Sequence, residues 1–184
     1  MSNVVVVDYG AGNTRSVRAA LARLGHSSDV TSEPRAVRGA EYVILPGVGS
    51  ARTAMEHLNE TGAADALRER FAAGAPTLGI CLGLQLALEQ SDEDGGVSGL
   101  GLLPGHVRRL GAERVPRLGW AVVEPWGEAY YFAHSFAADS PDQTATSEGV
   151  TAAVRRGSFF GVQFHPEKSG AAGLDFLEQC LYLA

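Results

Sequence analysis

The feature that most constrains the fold is an apolar run with one cysteine between two glycines, TLGICLGLQLAL at Thr77–Leu88. Its centre, Gly79–Gly83, has the form G-x-nucleophile-x-G, which is typical of a strand that turns sharply into a helix. The glycines allow the backbone to approach its neighbours closely. The run therefore predicts a strand, a turn at Cys81 and a helix, in that order.

Such a turn would hold Cys81 at the helix N-terminus. There, unpaired N–H groups and the positive end of the helix dipole favour a thiolate, so Cys81 is predicted to be a reactive nucleophile. Gln85 follows one helical turn later, which places its amide on the same face, where it could bind a substrate. The alternative is that Cys81 is a small core residue, a common environment for free cysteine.

A second chemical motif, His165-Pro166-Glu167, follows the predicted buried strand Phe159–Phe164. The proline disfavours helical geometry at the preceding residue and keeps the segment extended. In an extended chain His165 and Glu167 point to the same side. Glu167 could then orient the imidazole while its other nitrogen takes the thiol proton, which predicts a triad with Cys81. The alternative, which would be preferred for a histidine without a partner cysteine, is that His165 is an ordinary surface or core residue.

Two glycine-rich loops follow predicted strands in the first half of the chain. Asn3–Val7 contains four valines, the pattern of a buried parallel strand. It is followed by DYGAGN, whose G-x-G spacing could suggest phosphate binding but lacks the third glycine of the dinucleotide-binding fingerprint. Tyr42–Leu45 runs into PGVGS, where glycines flank Val48. Main-chain N–H groups could approach a ligand closely there, as an oxyanion hole requires. The alternative is an ordinary strand-to-helix turn.

The other predicted elements complete an α/β pattern. Helical periodicity predicts helices over Val17–Leu24, Ala51–Leu58 and Ala63–Ala73, and a closing helix with Leu174, Leu177, Cys180 and Leu181 on its apolar face. Further strands are expected at Ser28–Thr31, His106–Leu110, Trp120–Val123, Tyr130–His134 and Thr151–Arg155. The acidic segment Ser91–Gly96 is expected to be a solvated connection.

Composition narrows the class of protein. A chain of 184 residues is long enough for one domain, predicted here as residues 1–184. The net charge of -6 gives no basic stripe, so nucleic acid is not an expected partner. Two cysteines predict neither a disulfide framework nor a metal cluster, and no cofactor or metal is expected. Without a membrane-spanning run or a secretion signal, we expect a cytoplasmic protein that does not contact a membrane.

Seven motifs then occur in one order along the chain. They are DYGAGN at Asp8–Asn13, LPGVG at Leu45–Gly49, GICLGLQ at Gly79–Gln85, GLG at Gly99–Gly101, VPRLGW at Val115–Trp120, YFAHSF at Tyr131–Phe136 and GVQFHPEKSGAAGL at Gly161–Leu174. Together they resemble the class I glutamine amidotransferase family. DYGxGN, PGVG and HPEKSG are similar to its branch of imidazole glycerol phosphate synthase glutaminase subunits. The resemblance covers nearly the whole chain.

The resemblance implies a flavodoxin-like α/β fold, with a central, mostly parallel sheet flanked by helices and additional antiparallel strands in the second half. It implies hydrolysis of L-glutamine to glutamate and ammonia through a thioester on Cys81, with His165 as the base and Glu167 orienting it. It also implies a heterodimer with a (βα)8-barrel cyclase subunit. That partner would use the ammonia to make imidazole glycerol phosphate and an aminoimidazole carboxamide ribotide in histidine biosynthesis.

The resemblance further assigns roles to residues around the triad. The expected oxyanion hole is formed by the backbone of Val48 and Gly49 and the amide of Leu82. The expected glutamine contacts come from Gly47, Gln85, Ser135 and Phe136. The expected partner surface includes Asn13, Arg117 and Trp120. Where the branch commonly reads VPHMGWN, this chain reads VPRLGWA, and HSF stands in place of HSY.

Three functions remain open at this stage. The first is the amidotransferase glutaminase, serving either histidine biosynthesis or a specialised pathway. The second is a free-standing cysteine hydrolase that acts on a γ-glutamyl or other amide, which Gln85 and the PGVG and DYGAGN motifs speak against. The third is a non-catalytic subunit that only binds and stabilises a cyclase, which the complete Cys-His-Glu set speaks against.

Overall fold

The structure is a computed structural model that describes residues 4–10, 13–111, 113 and 115–182. The first half alternates strands and helices, in the order β1 Val4–Val7, α1 Thr14–Arg23, β2 Ser28–Thr31, α2 Pro34–Gly39, β3 Tyr42–Leu45, α3 Ala51–Thr61, α4 Ala63–Ala72, β4 Thr77–Ile80 and α5 Leu82–Ala87. The second half contains β5 Gln90–Ser91, β6 Val97–Ser98, β7 His106–Arg109, β8 Arg117–Val123, β9 Glu128–His134, β10 Phe136–Asp139, β11 Gln143–Ser147, β12 Val150–Arg156, β13 Phe159–Val162 and α6 Gly170–Tyr182.

The central sheet has seven strands in the order β11-β12-β13-β4-β3-β1-β2. Neighbouring strands from β13 to β2 pair in parallel, while β12 and β11 are antiparallel additions at one edge. A four-stranded sheet, β10-β7-β5-β6, and the hairpin β8-β9 lie outside it. The prediction of a mostly parallel sheet with additional antiparallel strands in the second half is therefore confirmed.

Both faces of the central sheet are covered by helices. Along β1, Val5 and Val7 pack among residues of α2 to α5, whereas Val4 and Val6 pack among residues of α1 and α6. Successive side chains of a strand point to opposite faces, so a strand covered on both sides has apolar residues at every position. This burial accounts for the uninterrupted run of valines. No helix of the described residues is both long and apolar enough to cross a bilayer.

Most predicted elements appear near their expected positions. The strands at Ser28–Thr31 and Tyr42–Leu45 have the predicted bounds, and Asn3 of the first predicted strand lies outside the described residues. Cys180 packs in the core, as expected from its position on α6. The predicted strand Phe159–Phe164 is too long, because β13 ends at Val162. The elements α2, β5, β6, β10 and β11 were not predicted; each is short and carries little periodicity.

Candidate active site

Cys81 occupies the sharp turn between β4 and α5, with φ 49 and ψ -104. A positive φ in a residue other than glycine costs about 1–3 kcal/mol, so the surrounding contacts must stabilise the turn. The Cys81 N–H donates to the carbonyl of Val162 at 2.7 Å, and the Cys81 carbonyl accepts from the N–H of Gln85 at 3.1 Å. The sheet and the first turn of α5 thus hold the thiol in a strained backbone conformation.

Two glycines allow the loop after β3 to lie directly against this turn. A Cβ on Gly83 would lie 1.9 Å from the carbonyl oxygen of Leu45. A Cβ on Gly47 would lie 1.8 Å from the oxygen of Ile80 and 2.4 Å from the nitrogen of Leu82. Only glycine fits such approaches, so the Pro-Gly-Val-Gly loop contacts the nucleophile turn through its backbone.

His165 and Glu167 form a buried pair, with each side chain 1% exposed. The imidazole Nδ1 donates to Glu167 Oε1 at 2.8 Å, and Asn13 Nδ2 donates to the same oxygen at 3.1 Å. Burial by itself lowers the pKa of His165, but contacts with Cys81 and Glu167 outweigh it and raise the pKa to about 9. Near neutral pH the imidazole therefore holds a proton next to the Cys81 sulfur.

The extended conformation predicted for His165-Pro166-Glu167 is wrong. His165 itself is extended, with φ -103 and ψ 93, but Pro166–Lys168 forms one turn of 3-10 helix. Proline suits the first position of a helical turn because its fixed φ is helical and its missing N–H would have no partner there. This turn, rather than an extended chain, brings the Glu167 carboxylate back to the imidazole.

The backbone of strand β9 contacts both His165 and Cys81. The His165 N–H donates to the carbonyl of Tyr131 at 2.8 Å. Ser169 Oγ donates to the His165 carbonyl at 2.6 Å and accepts from the Tyr131 N–H at 2.9 Å. The Cys81 thiol faces the carbonyl of Ala133 at 3.9 Å. The hairpin β8-β9 is therefore in direct contact with the His165 backbone and with the sulfur.

The loop expected to form the oxyanion hole is held by Tyr9. The Tyr9 hydroxyl donates to the carbonyl of Pro46 at 2.6 Å and, more weakly, to that of Val48 at 3.5 Å. Burial and the nearby Cys81 raise the pKa of Tyr9, so the hydroxyl remains a donor at neutral pH. The Val48 carbonyl and the Gly49 N–H belong to the same peptide group, and in a trans peptide these two groups point in opposite directions. Because the carbonyl faces the Tyr9 hydroxyl, the N–H of Gly49 points away from Tyr9.

A cleft of about 320 Å³ opens beside Cys81. Its lining includes every residue expected in the oxyanion hole or in contact with the substrate, namely Gly47, Val48, Gly49, Leu82, Gln85, Ser135 and Phe136. Gln85 Nε2 donates to the carbonyl of Phe136 at 2.7 Å, which joins α5 to the first residue of β10. A thiol beside an imidazole–carboxylate pair and main-chain N–H groups can attack a carbonyl carbon and stabilise the resulting oxyanion.

The three residues expected at a partner surface lie in different surroundings. Trp120 is exposed on β8 and contacts the Tyr131 ring edge-to-face. Arg117 is on the opposite face of the same strand, where its guanidinium lies 4.2 Å from the centre of the Phe132 ring and donates to Ser147 Oγ at 2.8 Å. Asn13 contacts Glu167. Of the three, only Trp120 is prominent on the surface.

The solvated connection expected at Ser91–Gly96 is confirmed for the exposed Asp92 and Asp94 but is wrong for Glu93, which is half-buried. Glu93 Oε2 accepts from the Ala51 N–H at 3.2 Å, and Asp94 Oδ2 accepts from Ser50 Oγ at 2.6 Å and from the Arg52 N–H at 3.2 Å. Carboxylates at a helix N-terminus stabilise its unpaired N–H groups. Burial raises the pKa of Glu93, which also lines the cleft. Sequence reasoning missed Glu93 because its contacts come from a distant helix.

Comparisons with known proteins agree with one another. The family model "Glutamine amidotransferase class-I" matches residues 5–183. "Imidazole glycerol phosphate synthase subunit HisH" of Moorella thermoacetica is 45% identical, over 97% of this chain and 93% of that protein. "Imidazole glycerol phosphate synthase hisHF, chloroplastic" of Arabidopsis thaliana is 41% identical, over 98% of this chain and 34% of that protein. A solved structure described as a glutamine amidotransferase is similar in fold, with a TM-score of 0.81, 23% identity and 98% of both chains covered.

Proposed function

The chain belongs to the class I glutamine amidotransferases, in the branch of the imidazole glycerol phosphate synthase subunit HisH, and we propose that it uses Cys81 to hydrolyse L-glutamine to glutamate and ammonia. It is an enzyme, the glutaminase subunit of imidazole glycerol phosphate synthase. The observation that carries the catalytic proposal is the buried His165–Glu167 pair, whose imidazole interacts with the side chain of Cys81 at the strained turn.

The first half of the reaction forms a thioester. The Cys81 sulfur attacks the carbonyl carbon of the glutamine side-chain amide, and a C–S bond forms while the oxygen becomes negatively charged. N–H groups of the Val48–Gly49 loop and of Leu82 stabilise that oxygen. The C–N bond then breaks, and the proton on His165 moves to the departing nitrogen, which leaves as ammonia.

The second half releases glutamate. His165, now neutral, takes a proton from a water molecule, whose oxygen bonds to the thioester carbon. The C–S bond breaks, glutamate leaves, and the proton taken from water restores the protonated imidazole beside the sulfur. Throughout the cycle Glu167 holds Nδ1, so Nε2 remains the nitrogen that exchanges protons with the reacting groups.

Glu167→Gln is expected to lower kcat by about 10²- to 10⁴-fold with little change in KM, as loss of the orienting carboxylate does in related triads. The amide can still contact the ring, but it stabilises the imidazolium poorly and can select the wrong tautomer. Steady-state glutamate production measures both constants. Glu60→Gln, a change at an exposed position of α3, is the matched control. An effect on KM alone would place Glu167 among the substrate contacts instead.

Glu93 is the acidic residue in the lining of the cleft, and its carboxylate is proposed to bind the α-ammonium group of glutamine. Glu93→Gln is therefore expected to raise the KM for glutamine by about tenfold, the size of a charge-assisted hydrogen bond, with a smaller change in kcat. Asp94→Asn is the matched control, because Asp94 caps the same helix but does not line the cleft. Equal KM changes in both variants would assign the effect to the cap of α3.

An exposed apolar stripe on β8 is the proposed docking surface for a (βα)8-barrel cyclase subunit. It consists of Leu118, Trp120 and Val122, which are 64%, 58% and 45% exposed. Contiguous exposed apolar residues mark interaction surfaces, and Leu118 also lines the cleft, so a partner bound here would lie next to the released ammonia. This chain matches only 34% of the Arabidopsis relative, so that protein is long enough to contain a second functional unit beside the matching region. This supports a partner for the present chain. We also propose that residues 1–184 form a single domain, which one family model supports, and that the protein acts in the cytoplasm.

The function is tested by comparing substrates and by labelling the nucleophile. Glutamate release is measured with glutamine and with γ-glutamyl peptides, and an electrophilic glutamine analogue is used to modify the protein before peptide mass analysis. Preference for glutamine and modification of Cys81 are expected. Preference for γ-glutamyl peptides would favour a free-standing hydrolase. A protein that is never modified would favour a non-catalytic subunit.

A further inference from the structure

Gln163 lies next to the nucleophile, although no step of the mechanism above uses it. In the parallel pairing of β13 with β4, Gly161 is opposite Gly79 and Val162 is opposite Ile80, so Gln163 follows directly opposite Cys81. Its side chain is fully buried. A buried amide is costly unless its N–H and C=O groups have hydrogen-bond partners, so the partners of Gln163 reveal what it does.

The orientation of the Gln163 amide follows from its neighbours. The Phe136 carbonyl can only accept, so the Gln85 atom 2.7 Å from it is the nitrogen. That same nitrogen lies 3.1 Å from the Gln163 amide, which must therefore present its oxygen. The other end of the Gln163 amide is then the NH2 group, and it lies 3.4 Å from Cys81 Sγ.

We propose that Gln163 is a positioning residue that donates a hydrogen bond to the Cys81 sulfur and stabilises its thiolate form. The inference rests on the proposed glutaminase function and adds a residue to it. An N–H donor lowers the free energy of a negatively charged sulfur more than that of a neutral thiol. The bond also restrains the direction of Sγ, which must face the substrate carbonyl.

The same chain of hydrogen bonds reaches the turn expected to bind glutamine. The Phe136 carbonyl accepts from Gln85 and also from His134 Nδ1 at 2.9 Å. Burial lowers the pKa of His134 to about 4, so at neutral pH its ring is uncharged and donates through Nδ1. A substrate bound at this turn would therefore be connected to the nucleophile through the side chains of Gln85 and Gln163.

The test measures the reactivity of Cys81 as a function of pH. The full-length chain is alkylated with iodoacetamide, and modification of the Cys81 peptide is followed by mass spectrometry, which separates it from Cys180. In Gln163→Met, of similar volume but without a donor, the midpoint of the alkylation profile is expected to move up by about one pH unit, a tenfold loss of thiolate below the midpoint. The kcat for glutamine is expected to fall about tenfold while KM stays within about twofold.

Two further variants keep the test decisive. Gln163→Leu likewise removes the donor without adding a titratable group, so its midpoint is expected to move up by a similar amount; it serves the test if the methionine variant does not fold. Gln90→Met, at an exposed position, is the control with an unchanged midpoint. The titratable groups around Cys81, namely Tyr9, Glu93, His134 and His165, stay the same in every variant.

The outcomes separate this inference from the function on which it rests. An unchanged midpoint in Gln163→Met or Gln163→Leu that is folded, as shown by a native melting transition, would overturn the role of Gln163 even if the wild-type chain hydrolyses glutamine. A shifted midpoint in a chain whose wild type hydrolyses no glutamine would support the contact with the sulfur and overturn the glutaminase proposal.

Discussion

Cys81→Ser is expected to reduce glutamine hydrolysis by at least about 10³-fold and to leave the chain folded. The sulfur carries the covalent step, and a serine hydroxyl is far less acidic than a thiol, so it gives almost no nucleophilic anion at neutral pH. The change in volume is small, and the turn is held by bonds from the Cys81 backbone, which serine retains. Glutamate production and thermal unfolding are the two measurements.

Cys180→Ser is the matched control for that variant, because Cys180 is buried on α6 away from the cleft. Glutamine turnover should be retained. When Cys81→Ser is combined with the cyclase subunit, synthesis from added ammonium salts should persist, since only the supply of ammonia is lost. Substantial glutamine hydrolysis by Cys81→Ser would remove Cys81 from the mechanism.

The second large effect concerns the partner. The isolated chain is expected to hydrolyse glutamine slowly, and the cyclase with its ribonucleotide ligand bound is expected to raise kcat by about 10²- to 10³-fold, the size of one oxyanion donor gained. Ammonia released into neutral water is mostly protonated and no longer nucleophilic, so hydrolysis is useful only when an acceptor is present. A partner that controls the donor loop would meet that requirement.

The structure offers a place for such control. Val48 is exposed and lies between Gly47 and Gly49, and Gly49 has φ 117, a conformation that favours glycine. Flanking glycines lower the cost of rotating the intervening peptide groups. The weak bond from the Tyr9 hydroxyl to the Val48 carbonyl, at 3.5 Å, is the contact that a rotation of this peptide would break.

Glutamate production by the chain alone, with the cyclase, and with cyclase plus ligand measures the activation. Val122→Glu, on the exposed stripe but outside the cleft, should weaken activation, whereas the same substitution at the exposed Tyr182 of α6 should not. Equal kcat in all three conditions would refute control by the partner and favour a free-standing hydrolase.

The parts of the site that could be predicted from sequence are those carried by short local patterns. The Gly79–Gly83 turn is one, because its glycines and flanking apolar runs specify strand, turn and helix within a few residues. Proline after His165 was less informative, since its φ suits both an extended chain and the first residue of a helical turn. The pairing of His165 with Glu167 was expected, but the geometry that produces it was not.

Contacts between distant segments were beyond the reach of local patterns. The Glu93 carboxylate accepts a hydrogen bond from the N–H of Ala51, which lies 42 positions away in the chain. A periodic pattern within one segment cannot predict a contact between two segments so far apart. Gln163 could have been noticed only from the register of β13 against β4, which sets it beside Cys81. Arg117 was expected on the surface with Trp120, yet residues separated by an odd number of positions on a strand face opposite sides.

The way in which β9 supports the catalytic residues bears on how such an enzyme can change over evolutionary time. Its contacts with the His165 backbone and with the sulfur are made by the carbonyls of Tyr131 and Ala133, groups that every amino acid provides. Side chains on the outward face of β8 can therefore be exchanged without removing these contacts. A lineage could acquire a different partner by substitutions on this hairpin and still inherit the same chemistry.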